Sequence, residues 1–354
     1  MLHKSRLAGF VLFCFLKPRL GGFFCGNMQY INDITESIGN TPLIQLQKVA
    51  KGISAKLLVK LEYMNPGGSI KDRLALQIIN DAEEKGFLKK GSTIVECTGS
   101  GNTGIGLAML AAVRGYKTVF TMPDKNSQEK IDILRAYGAK VVTCPTNVAP
   151  DDPRSYYQVA QRLANEIPNS FFARQYSNPS NPKTHYLTTG REIWEQTNRK
   201  IDYFFAGMGT GGTITGTAKY LKEKSKNITI IGVDPVGSIY ADYFNHKKVQ
   251  AKPKTYLIEG IGEDFIPEII DFSLIDDVIQ VTDKEAYGMT RSLAREEGIL
   301  VGSSSGAAVL GAIKYLQQKE LSHDSVVVIL LPDSGKSYLS KIFNDDWMQE
   351  KHLL

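Results

Sequence analysis

From Lys56 onward, short apolar runs rich in β-branched residues alternate with stretches in which apolar positions recur every three to four residues. KLLVKLEY precedes a helical pattern after Lys71, STIVEC precedes one from Thr103, and KTVFTM precedes another that leads to KVVTC. The alternation resumes with IDYFFA at 201–206, a helix after Gly212 and ITIIGV at 228–233. It closes with helices over 283–296 and after Ser304, and the run VVVILL at 326–331. Near-continuous apolar strands separated by helices predict an α/β protein with mostly parallel sheets covered by helices. One helix carries both of its end signals: Thr282 with Glu285 can form a capping box, and Gly298 can supply the left-handed stop. Pro150 and Pro153 mark 149–156 as a connection, and Pro179 and Pro182 mark YSNPSNPKTHY as a second. The second is expected to carry the chain from a first domain, 28–178, into a second, 179–354.

At 354 residues the chain can bury two cores, and 42% hydrophobic with 22% charged residues is an ordinary balance for a folded protein in water. Of the net charge of +5, Lys4, Arg6, Lys17 and Arg19 contribute four with no acid among residues 1–27, leaving +1 elsewhere and no case for a nucleic-acid partner. Cys14, Cys25, Cys97 and Cys144 lack CxxC spacing and the five histidines stand singly, so no metal site and no disulfide framework are expected, and a reducing, cytoplasmic setting is. LAGFVLFCFL, 7–16, has the length of a signal-peptide core but lacks a small-residue cleavage site, and it is too short to span a bilayer. MQYINDITESIGNTPLIQL from Met28 reads as a natural start. Residues 1–27 are therefore expected to be an extension that the fold does not need.

Candidate chemistry gathers at glycine-rich turns. AGMGTGGTITG, 206–216, follows an apolar strand and opens a helix, bringing free N–H groups and the positive end of a helix dipole to one point suited to phosphate. Gly207, Gly209 and Gly212 also satisfy GxGxxG with Asp234 about 20 residues on, which keeps an NAD-dependent dehydrogenase open. A turn that merely packs helix on strand is a third possibility. The hydroxyls of Thr210 and Thr213 favour a single terminal phosphate. LEYMNPGGSIKDR, 61–73, puts Lys71 at a helix start, where its charge opposes the dipole and a lowered amine pKa would suit a Schiff base; a solvated surface lysine is the commoner fate. TGSGNTGIG, 98–106, groups Thr98, Ser100, Asn102 and Thr103 in a turn suited to a carboxylate, unless they serve only as caps. GSSSGAA, 302–308, offers Ser304 as a cap or as a hydroxyl aimed into a cleft. Three glycine-rich helix starts, beside the lysine turn, cost conformational entropy without adding core, which points to an anionic cofactor and an anionic substrate.

With NPGGSIKDR, SGNTGIGLA, GTGGTITG, EGIGEDFIP and LPDS in this order, the chain from Ile31 to Trp347 resembles the cystathionine β-synthase/cysteine synthase family of fold-type II pyridoxal-phosphate enzymes, and within it the short bacterial-type synthases. The resemblance implies a two-domain, tryptophan synthase β-like fold with an early strand threaded into the later domain, pyridoxal 5′-phosphate as cofactor, and a homodimer. It implies Lys71 as the Schiff-base lysine, Asn102 at the ring 3′-oxygen, Gly209, Thr210, Gly211, Gly212 and Thr213 as the phosphate loop, and Ser304 at the pyridine nitrogen. Ser100, Thr103, Gln175 and Gly260 fall at substrate-binding positions. Tyr176 stands where synthases have Tyr and sulfhydrylases usually have Phe, and Glu263 where animal synthases have Tyr; both are catalytic candidates.

The implied reaction replaces the β-substituent of serine, or of an O-activated serine, with a thiol, homocysteine giving cystathionine. The alternative within the fold is cysteine synthesis from O-acetylserine or O-phosphoserine and sulfide. A dehydrogenase leaves Lys71 and Asn102 unexplained, and a non-catalytic binding role leaves the lysine, asparagine and serine set without a use. The chain departs from the family pattern where Cys97 replaces a Pro, Gly99 is inserted, and Ser303 and Ser305 replace Gly and Ala, which puts a carboxylate role for Thr98 in question. Neither the C-terminal regulatory tandem domain nor the N-terminal haem segment of some members is expected.

Overall fold

The computed structural model describes residues 30–354; the extension 1–27, with its apolar stretch and two cysteines, and Met28 lie outside them. Ten strands form two sheets: β1 (Leu43–Gln45), β2 (Lys56–Leu61), β3 (Thr93–Cys97), β4 (Lys117–Pro123), β5 (Lys140–Cys144), β6 (Ser170–Phe172), β7 (Tyr203–Gly207), β8 (Thr229–Pro235), β9 (Asp277–Val281) and β10 (Val326–Leu331). The larger sheet has the order β1-β2-β10-β7-β8-β9, parallel except for β1, and the smaller has the order β5-β4-β3-β6, parallel throughout. A cut at 178/179 would therefore leave β1 and β2 with the smaller sheet, whereas they belong to the larger one. The cause is pairing: all six residues of β2 lie in register with Val326–Leu331 of β10.

The run VVVILL is continuous because both faces of its strand are covered. Val327, Ile329 and Leu331 join Phe205 and Val309 in the core on one side, and Val328 and Leu330 join Phe204 and Ile214 on the other. The helices Asp283–Glu297 and Ser303–Leu316 cover the first face. The former carries the expected capping box at Thr282 and Glu285 and stops at Gly298 with φ +72°. The helix Gly212–Lys224 covers the second face, and the helices Lys71–Glu84 and Asn102–Arg114 pack together in the core of the smaller sheet.

The segment 176–186, expected as a plain connection, is partly helical: Ser180–Thr184 forms a short helix that widens into a π turn over His185–Thr189. Its prolines do not prevent this, because Pro179 is the N-cap and Pro182 lies in the first turn, where a backbone N–H has no helical partner to lose. Arg73, 2% exposed, binds both carboxylates of Glu62 and Glu192, while Lys60 binds Glu192 and Gln196. This paired cluster locks the helix that begins at Lys71 to β2 and to the helix Gly190–Gln196. No helix among the described residues is long and apolar enough to cross a membrane.

One buried carboxyl makes the stability of the fold depend on pH. Glu96 in β3 is fully buried; its Oε1 accepts from the Gln175 N–H and the Cys97 thiol, and its Oε2 has no partner among the described residues. Burial pushes its pKa up from 4.5 to about 8. Between those values the folded chain keeps a proton that the unfolded chain releases, so the contribution of Glu96 to stability falls as pH rises. Glu96→Gln is expected to remove that loss. Its melting temperature relative to wild type should rise steadily between pH 5 and 8, whereas a gap independent of pH would show that Glu96 does not titrate with folding.

Candidate active site

Four helices begin at one cleft between the sheets, at Lys71, Asn102, Gly212 and Ser303. Gly101 and Gly211, the N-caps of the helices Asn102–Arg114 and Gly212–Lys224, have φ of +81° and +84°, a left-handed conformation that glycine adopts without strain. The glycines before Lys71 have a local reason too, since a Cβ on Gly67 would lie 2.5 Å from Asp72 Oδ1, and the Gly67 N–H donates to Asp72 Oδ2 at 2.6 Å. That bond folds the 65–70 turn back onto its helix and fixes where Lys71 emerges.

The cleft holds a cavity of about 290 Å³ lined by Lys71, Gly99, Ser100, Tyr156, Tyr157, Gln175, Tyr176, Gly209, Thr210, Gly260 and Glu263, with Lys125 and Lys254 also on its wall. A smaller chamber of about 30 Å³ shares Lys71, Ser100, Gly209, Thr210 and Gly260 and adds Asn102, Gly211, Thr213 and Ser304. Most of the expected residues are thus brought together from segments more than 200 positions apart in the chain.

The Lys71 side chain hydrogen-bonds to no group among the described residues, and its pKa is lowered to about 8. The main cause is burial, opposed first by the negative charge of Asp333. Asn102 donates one amide hydrogen to Asp333 Oδ2 at 2.9 Å, which leaves the second for the chamber. Asp333 is itself held by the Tyr338 hydroxyl, which also binds the buried Lys130. Ser304 lies two residues into its helix, 2% exposed.

Three residues do less at the cavity than expected. Thr103 lines neither space; its hydroxyl donates to Gln175 Oε1 at 2.6 Å, and Gln175 Nε2 donates to Cys97 O at 2.7 Å. Thr103 therefore orients the Gln175 amide. The Thr98 hydroxyl accepts from the Gly104 N–H and caps the helix start. Gly212 lines neither space either, because its role is close packing: a Cβ there would lie 2.0 Å from Asn181 Oδ1. Asp234, the acid required by the dinucleotide fingerprint, is fully buried and accepts from the Ala241 N–H at the next helix start, away from both spaces. That placement removes the residue a ribose would need.

Above Lys71 the wall is aromatic and acidic. The rings of Tyr157, Tyr176 and Phe265 meet edge to face at 5.3–5.6 Å, and the Tyr157 hydroxyl donates to Glu263 Oε2 at 3.4 Å. Burial and the neighbouring charge of Asp264 push the Glu263 pKa up to about 8, against the pull of the Tyr176 and Tyr157 phenols, so at neutral pH the carboxyl holds a proton. Gly99 sits under this wall, where a Cβ would come within 3.0 Å of the Tyr156 hydroxyl. Tyr156 and Tyr157 were not legible in the sequence as site residues. They follow two prolines and open a helix, and no local pattern distinguishes an inward phenol there from an outward one.

A family model described as "Pyridoxal-phosphate dependent enzyme" matches residues 34–333. Similar proteins include the cystathionine beta-synthases of Oryctolagus cuniculus, 49% identical over 91% of this chain and 58% of that protein, and of Apis mellifera, 49% identical over 91% and 63%. That of Saccharomyces cerevisiae is 44% identical over 91% of this chain and 65% of its own length. The chain spans about three fifths of the length of these relatives. Among solved structures, a hydrogen sulfide-producing enzyme from Fusobacterium nucleatum superposes with a TM-score of 0.81 at 37% identity, covering 88% of this chain and all of that one. An O-ureido-L-serine synthase gives 0.81 at 37% identity, covering 91% and 100%.

Proposed function

The chain belongs to the family of pyridoxal-phosphate dependent enzymes, and on that premise we propose that it replaces the hydroxyl of serine with the thiol of homocysteine, giving cystathionine and water. The cofactor is pyridoxal 5′-phosphate, and the residues at the cleft fit it. An amine with no hydrogen-bond partner among the described residues, an amide with one N–H left over, and a glycine loop at a helix N-terminus line one chamber. In this reading Lys71 holds the cofactor covalently, Asn102 and Ser304 meet its ring, and Gly209–Thr213 hold its phosphate. Bound there, the cofactor supplies an electron-withdrawing ring that stabilises negative charge at the α-carbon of an attached amino acid.

The remaining steps fall to side chains. Ser100 and Gln175, with the N–H groups at the start of the helix Asn102–Arg114, bind the substrate carboxylate. With a pKa of about 8, the Lys71 amine has an appreciable neutral fraction near neutral pH and removes the α-proton as general base. Hydroxide is a poor leaving group, so the Cβ–O bond breaks with proton donation from Tyr176 or from the protonated carboxyl of Glu263, and water departs. The thiol then adds its sulfur to Cβ and gives its proton back to the group that protonated the leaving hydroxyl, and Lys71 returns the other proton to the α-carbon.

The observation that carries this reading is the cavity of about 290 Å³ with phenols and a protonated carboxyl at its wall. Sulfide needs no such room, and acetate needs no such donor to leave. The reading includes a homodimer in the cytoplasm, where the buried thiols of Cys97 and Cys144 stay reduced. Cysteine synthesis from an O-activated serine and sulfide is the second reading, favoured by the likeness to a sulfide-producing enzyme.

Product masses from purified protein given serine or O-acetylserine, with homocysteine or sulfide, decide between them. Cystathionine from serine is expected; absence of any product with homocysteine would make cysteine synthesis the activity. Tyr176→Phe should lose at least about tenfold more activity with serine and homocysteine than with O-acetylserine and sulfide, about 1.4 kcal/mol of transition-state stabilisation. Glu263→Gln, which cannot donate as an acid, should show the same sign. Equal losses on both substrate pairs for both variants would refute proton donation to the leaving group.

A further inference from the structure

The helix that opens at Gly212 packs on the segment 180–190 with no space between them. A Cβ on Gly216 would lie 2.1 Å from Pro182 O, and one on Gly190 would lie 2.9 Å from the Tyr220 Cβ. Inside this contact lies the fully buried ring of His185. Its Nε2 is 3.2 Å from Thr213 Oγ1 and its Nδ1 is 2.9 Å from Thr189 Oγ1, across the wide π turn. These are the only hydrogen bonds that either threonine hydroxyl makes among the described residues.

Counting donors separates the two neutral tautomers. With the proton on Nδ1, the ring donates to Thr189, whose own O–H then has no acceptor, and Nε2 takes the O–H of Thr213. With the proton on Nε2, the Thr189 O–H donates to Nδ1, the ring donates to Thr213 Oγ1, and the Thr213 O–H is left over. Only the second arrangement satisfies every buried group at positions 185 and 189, and a buried hydroxyl without a partner is unfavourable. The imidazolium is a poor third state, because burial and the charges of Lys71 and Arg73 hold the pKa well below the ordinary value against the pull of Glu192.

Thr213 lines the smaller chamber. We infer that His185, held as the Nε2–H tautomer by Thr189, is a positioning residue that makes the Thr213 hydroxyl an obligate donor to an anionic oxygen in that chamber, the phosphate of the cofactor. The inference rests on the assignment of 209–213 as the phosphate loop. A phosphate offers only lone pairs, so the opposite tautomer would turn a lone pair of Thr213 toward it. Thr189, which lines neither space, thereby affects the cofactor through the ring.

Nitrogen NMR of the holoenzyme labelled at histidine tests this directly, with His185 assigned by its loss in His185→Gln. A protonated Nε2 and an unprotonated Nδ1, unchanged across the neutral pH range, are expected; a protonated Nδ1 would overturn the inference. Pyridoxal-phosphate titration and the phosphorus NMR shift of the bound cofactor give a second readout. Thr189→Val should weaken cofactor binding by about tenfold, the loss of one hydrogen bond to a charged group, and should move the phosphorus signal. Thr189→Ser should restore both. Wild-type affinity and shift in Thr189→Val would also overturn it. Failure of the wild type to bind pyridoxal phosphate would instead overturn the phosphate-loop assignment, and this inference with it.

Discussion

Replacing Lys71 by alanine is expected to leave a folded protein that no longer holds its cofactor covalently and has lost two to four orders of magnitude in activity. Lys71 sits at the first position of its helix and lines both spaces of the cleft, and its amine bonds to no other side chain among the described residues. Removing the amine therefore breaks no ion pair and costs little stability. The loss falls on the reaction, where a positioned base contributes about 10²–10⁴-fold. Borohydride reduction followed by mass measurement gives the direct readout: a pyridoxyl adduct on Lys71 in wild type and none in Lys71→Ala. An adduct on another lysine, or full activity of the variant, would remove Lys71 from the mechanism.

Gly211→Asp should abolish tight cofactor binding, for a reason that the loop sequence alone does not supply. A carboxylate beside a bound phosphate suggests charge repulsion, about 4 kcal/mol for unit charges ~4 Å apart at an effective dielectric of ~20. In the structure, however, a Cβ on Gly211 points at Ile270, 2.5 Å from its Cβ, and the backbone there has φ +84°. The side chain would meet the core beside the loop rather than the phosphate. The expected outcome is a displaced loop, with overpacking costing about 1–3 kcal/mol and left-handed strain about 1–2 kcal/mol more, so the cofactor-free protein also melts lower. Unchanged melting of the cofactor-free variant together with weakened binding would restore the repulsion account.

Much of this architecture was legible in the chain itself, where the signal is local. The apolar runs at β2, β3, β4, β5, β7, β8 and β10 are found where their composition predicts them, because β-branched residues suit the pleated backbone and the central strands, covered on both faces, must be apolar throughout. The helix Asp283–Glu297 begins and ends at its capping box and its glycine, because capping is settled within four residues. The short strands β1, β6 and β9 gave no such signal. Three to five partly exposed residues at a sheet edge or end carry neither a long apolar run nor a clean alternation.

Local sequence specified the α/β class, the glycine-rich helix starts, and the residue types at the cleft: an amine, an amide, hydroxyls and a phosphate-type loop. Each depends on neighbours a few positions away, within reach of backbone conformation and the helix dipole. The tertiary structure alone decided what those groups face. It put β2 beside β10, turned the Thr103 hydroxyl onto Gln175 instead of the cavity, and buried Asp234 beneath a helix start. It also raised the Glu263 pKa to about 8 by enclosing the carboxyl among phenols from distant segments, and it placed His185 between two threonines. Protonation state and hydrogen-bond direction follow from desolvation and from which donors lie within about 3 Å, and those neighbours are chosen by packing between segments far apart in the chain.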